Sequence, residues 1–70
     1  MRVRLKLAER IRELRIEKGL KQSELADKLG VGQGYISRWE AGGQPPLEAI
    51  VGLARIFGCT TDYLLGATDE

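Results

Sequence analysis

Seventy residues, 43% of them hydrophobic and 30% charged, describe one small globular domain rather than a disordered chain. The sequence has no histidine, which removes Ser-His and Cys-His pairs and every imidazole metal ligand, so no enzyme, metal site, cofactor or small-molecule ligand is expected. Net charge is only +1, yet residues 1–38 hold ten Lys/Arg against five Asp/Glu, and residues 39–70 hold one against five. Such asymmetry suits a molecule with one side facing phosphates. A solvated helix face with Glu9, Glu13 and Glu17 as i,i+4 partners accounts for the charges equally well.

No apolar run approaches the roughly 20 residues that cross a bilayer, and no hydrophobic stretch follows the basic start as in a signal peptide. Cys59 stands alone and has no partner for an internal disulfide. A reducing cytoplasm, with no membrane contact, is the expected location.

The first helix is predicted from about Lys6 to Lys18, because Leu7, Ile11 and Leu14 recur at i, i+4 and i+7 and Gly19 follows. Residues 1–6 fit a short strand or an arm by their alternation, but Val3 lies in helical register with Leu7, which favours a frayed helix start. The second helix runs from about Gln22 to Leu29 and stops at Gly30. The third runs from about Gln33 to Ala41, with Ile36 and Trp39 three apart, and stops at Gly42-Gly43. Pro45-Pro46 then imposes an extended connection. A fourth helix begins near Leu47, with Pro46 in its first turn, and carries Ile50, Leu53, Ala54 and Phe57 on one face as far as Gly58. Thr60 or Thr61 caps a short fifth helix that closes before Gly66. Residues 67–70 read as a loose tail, leaving 1–66 as the domain.

Gly30-Val31-Gly32-Gln33-Gly34 is not a phosphate loop: its spacing is wrong, no strand precedes it and no Gly-Lys-Ser/Thr follows. It sits instead between two short helices that must cross near right angles and share a core. Ala26 is small at the closest approach, where a larger side chain would cost about 1–3 kcal/mol by overpacking. Gly30 supplies a positive φ at the exit, Val31 plugs the turn, and Ile36 and Trp39 return to cover Leu25 and Leu29.

These residues, followed by Glu40, Pro46-Leu47-Glu48-Ala49-Ile50, Leu53-Ala54, Phe57-Gly58 and Thr61-Asp62-Tyr63-Leu64-Leu65-Gly66, resemble the phage repressor and Cro-like (XRE-type) helix-turn-helix domains over roughly residues 6–66. The resemblance implies an all-α, compact five-helix bundle whose second and third helices form the helix-turn-helix. It further implies a sequence-specific regulator of transcription, a repressor more often than an activator, that works as a homodimer on double-stranded DNA in a bacterial or phage-infected cytoplasm. Half-sites would lie about 34 Å apart, one helical turn. The dimer surface implied is the start of the fourth helix together with residues 58–65.

Residue by residue, the resemblance implies base contacts from Gln33, Gly34, Tyr35, Ser37 and Arg38 on the third helix. A glutamine pairs bidentately with adenine and an arginine with guanine, each worth about 1–3 kcal/mol of discrimination. Lys21, Gln22 and the backbone N–H groups of Gly43 and Gln44 match phosphate contacts, and Arg15 with Glu40 matches an ion pair joining the first helix to the third. The sequence departs from the family at Gly32, where Ser or Thr usually caps the recognition helix, and at Gly34 in its first turn. Both weaken that helix start, so narrower readout or ordering of the start on DNA is expected. Basic residues after the third helix are also missing, which argues against strong minor-groove contact. The alternative reading is a Cro-like fold serving as a protein-interaction module, an antitoxin or accessory factor, docking through Tyr35, Trp39 or the fourth helix.

Overall fold

The computed structural model describes residues 6–68. The expectation for residues 1–5 lies outside them. The chain folds into five helices: α1 (Leu7–Glu17), α2 (Gln22–Leu29), α3 (Gln33–Glu40), α4 (Leu47–Phe57) and α5 (Thr61–Leu65). No strand occurs among the described residues. The α2 bounds are as the pattern implied; α1 is one residue shorter at each end and α3 stops one residue earlier.

Each helix turns an apolar stripe inward. Leu7, Ile11 and Leu14 do so on α1, and Ala49, Ile50, Leu53, Ala54 and Phe57 on α4. Each of the five also contributes one side chain with no accessible surface: Ile11, Leu25, Ile36, Leu53 and Leu64. Burying such a side chain stabilises by about 1.5–3 kcal/mol relative to exposure. Every helix therefore reaches the core, and none is an appendage. Tyr63 and Leu65 of α5 and Cys59 before it pack on the core from its rim.

Local chemistry sets the ends. Gly30 takes φ 80° as the cap of α2 and donates to the Ala26 carbonyl at 2.8 Å, a left-handed conformation that costs a side-chain-bearing residue about 1–2 kcal/mol. Pro46 is the N-cap of α4, in extended conformation with ψ 160°, and not a residue of its first turn. Its carbonyl already accepts from Ala49 and Ile50, at 3.0 and 3.1 Å, which is what an N-cap carbonyl does. At α5 the choice between two threonines resolves to Thr60, whose Oγ1 accepts from the Tyr63 N–H at 3.0 Å. The Lys6 N–H donates to the Leu65 carbonyl at 2.9 Å, joining the start of α1 to the end of α5.

Candidate nucleic-acid interface

The α2–α3 pair depends on a close approach. Ala26, 1% exposed, presents only a methyl group to the turn, and the Val31 N–H reaches back to the Ala26 carbonyl at 3.0 Å. That bond and the Gly30 cap fix the angle at which the chain enters α3. Ile36 and Trp39, 0% and 4% exposed, then hold α3 to the core. At about 100° per residue, this leaves Gly34, Ser37, Arg38 and Ala41 on the opposite face, with Gln33 and Tyr35 on its flanks. All six are exposed. The centre of that face is made of small residues, and the long polar side chains of Gln33 and Arg38 stand at its edges.

What keeps this face in place is an ion pair linking three helices. The Arg15 Nε donates to Glu40 Oε2 at 2.7 Å and Nη2 to Oε1 at 3.1 Å, while Nη1 donates to the Leu20 carbonyl at 2.9 Å. Gln22 at the start of α2 adds a bond from Nε2 to Glu40 Oε1 at 3.3 Å. The Arg15 and Glu40 side chains are 14% and 6% exposed, so this pair is screened from water far more than a surface bridge. The hydrogen bond to Glu40 raises the Arg15 pKa above the usual arginine value, with Glu40's charge acting in the same direction against the cost of burial. Hydrogen bonds to a charged group of this kind contribute about 1.5–3 kcal/mol. Here they set the position of the C-terminal end of α3 against α1 and α2.

Around α3 lie the groups matched to phosphate contacts. Lys21 is exposed, and its own N–H is taken by Glu24 Oε1 at 2.8 Å, a side chain reaching back over the start of α2. Gln22 has one amide hydrogen committed to Glu40, so it offers its second amide hydrogen and its backbone N–H in the first turn of α2. The Gly43 N–H has a partner within the fold. It donates to the Arg38 carbonyl at 2.9 Å and closes the end of α3, a bond that competes with the phosphate contact expected of it. The exposed Gln44 is left as the phosphate candidate of that loop.

Arg12 was missed by the sequence reading. It is exposed on α1, one turn before Arg15, and with Gln22, Ser37 and Ala41 it borders a shallow depression of about 340 Å³ beside the outward face of α3. The i, i+3 spacing of Arg12 and Arg15 was the available signal. Arg10 was also left without a role: its guanidinium lies 4.0 Å from the centroid of the Tyr63 ring, bracing α1 against α5. Trp39 is buried and meets Tyr35 with ring centroids 5.9 Å apart, so little of it is accessible to a docking partner. The Cys59 thiol is half-buried, and burial pushes its pKa up, partly offset by the Arg10 charge, which makes it a poor nucleophile. No group of residues suited to a metal ion occurs among the described residues.

On the far side of α3 from Arg12, an open apolar groove of about 660 Å³ runs past Leu29, Val31, Tyr35 and Trp39 to Pro46 and Ala49. Leu47 lies between those last two in sequence and is 74% exposed. No described helix is long and apolar enough to cross a membrane.

A family model described as helix-turn-helix matches residues 11–64, from the middle of α1 to the end of α5. The chain belongs to the helix-turn-helix family. Its relatives place it with the phage repressor and Cro-like regulators, which are not enzymes. It is 38% identical over 63 residues to the HTH-type transcriptional regulator YobD of Bacillus subtilis, an alignment that spans 89% of this chain but only 56% of that protein. Among solved structures, a transcriptional regulator from Listeria innocua superposes with a TM-score of 0.87 at 29% identity, covering 97% of this chain and 64% of that one. The P22 c2 repressor in complex with a synthetic operator gives a TM-score of 0.82 at 33% identity, covering 94% of this chain and all of that one.

Proposed function

We propose that this helix-turn-helix domain binds duplex DNA sequence-specifically, with α3 in the major groove, and that it represses transcription as a homodimer on a pseudo-palindromic operator. The observation that carries this reading is the split of α3. Gln33, Ser37 and Arg38 face solvent together while Ile36 and Trp39 lock the same helix into the core. A helix free on one face and fixed on the other is what a major groove about 12 Å wide admits. Support comes from the P22 c2 repressor, which shares the fold at 33% identity and is seen on an operator.

In this reading Gln33 and Arg38 pair with base edges, adenine for the amide and guanine for the guanidinium. Ser37 makes a shorter contact between them, Tyr35 one on the flank beyond Arg38, and Gly34 lets the backbone approach the base pairs. Arg12, Lys21, Gln22 and Gln44 fix the register on the phosphates. The second copy docks through the start of α4, where Leu47 is exposed, together with residues 58–65, and residues 1–66 are the DNA-binding unit, working in a bacterial or phage-infected cytoplasm. Selection of bound duplexes from a random pool tests the proposal. The expected result is a two-fold symmetric consensus with half-sites one helical turn apart, in which Arg38→Ala relaxes preference at one base pair per half-site. Recovery of no consensus would overturn it.

A further inference from the structure

Gly43 does more than close α3. A Cβ built on it would lie 2.8 Å from Arg38 Cγ, closer than side chains tolerate, and 3.0 Å from the Arg38 carbonyl oxygen, a tight contact. The Arg38 stem therefore lies directly against the bare Cα of Gly43. Its guanidinium lies 5.7 Å from the centroid of the Tyr35 ring, one turn back on the same helix. Tyr35 is itself steadied by its contact with the buried Trp39 ring. Arg38 thus lies between a glycine and an aromatic face, although it is exposed and would otherwise sample many rotamers that binding would have to freeze.

We propose that Gly43 is a positioning residue for Arg38. Its missing side chain opens a slot that, with Tyr35 as the opposite wall, presents the guanidinium to DNA in one orientation. The consequence for sequence preference rests on the reading that Arg38 contacts a base; the slot itself does not. Gly43 has no left-handed backbone conformation, so alanine brings no φ strain there. The steric conflict falls on Arg38 and its carbonyl.

Two measurements test this together. In the free protein, the Arg38 Hδ and Hε resonances are expected upfield of their positions in Tyr35→Leu, through the ring current, and Gly43→Ala should bring them to the Tyr35→Leu positions. On duplexes carrying every substitution of the selected site, Arg38→Ala should lose about tenfold discrimination at one base pair. Gly43→Ala should lose about threefold at that same pair and nothing elsewhere, and add nothing in the Arg38→Ala background. Unchanged Arg38 resonances in Gly43→Ala would overturn the slot. So would equal loss of affinity on all duplexes with discrimination intact, since that is what a merely structural glycine gives. If Arg38→Ala relaxes no base pair, the base-reading role fails, and the resonances alone then decide whether Gly43 orients the side chain.

Discussion

Helices α3 and α4 are both amphipathic, yet they are held by different means. α4 buries five of its eleven residues along one continuous stripe, whereas α3 buries two of its eight. A glycine N-caps α3, with a second glycine at its second position and no side-chain bond to its first-turn N–H groups. It is kept helical by Ile36 and Trp39 beneath it and by the Arg15–Glu40 pair at its far end. Scaffold and reading element are thus separate. The outward face of α3, which we propose meets DNA, contributes little to folding, so its residues are free to change without loss of the domain.

Substitution in α4 breaks the comparison most severely. Leu53→Ala, at a site with no exposed surface, should cost about 2–5 kcal/mol in urea unfolding, most of what a domain this small has. DNA binding should disappear with the fold. A loss under about 1 kcal/mol would show that α4 is not the scaffold. A smaller effect of opposite sign is expected on α3. Nothing lies within 4 Å of a Cβ placed at Gly34, so Gly34→Ala should stabilise the protein by about 0.5–1 kcal/mol and slow amide exchange over residues 34–36. DNA affinity should not rise with stability, because the new methyl group stands at the centre of the outward face. Destabilisation by this change would mean that α3 does not begin as an ordinary helix.

The helices were legible because their signals are local. Leu7, Ile11 and Leu14 mark a stripe within two turns, and a glycine or a proline pair punctuates every boundary. The outward set Gln33, Ser37 and Arg38 came from the family resemblance, and the periodicity that places Ile36 and Trp39 inside agrees with it. Contacts between distant residues carried no such signal. The stacking of Arg10 on Tyr63 and the bond from Lys6 to Leu65 join the two ends of the fold, and no sequence spacing announces them. Gly43 shows a subtler limit. The sequence presents it as a loop glycine with a free N–H, whereas its meaning lies in the Arg38 side chain that folds over it and the carbonyl that takes its hydrogen. The role of Gln22 is divided for the same reason, since Glu40 reaches it from eighteen residues away.

The most direct test of α3 as a DNA-reading helix seated among phosphate-binding groups is a titration with its selected duplex over a salt series, comparing the unmodified chain with Arg12→Ala and Lys21→Ala. The logarithm of affinity should fall linearly with the logarithm of salt concentration, and each substitution should lessen the slope by about 1 while leaving base preference intact. An affinity indifferent to salt, or slopes unmoved by either substitution, would contradict the account.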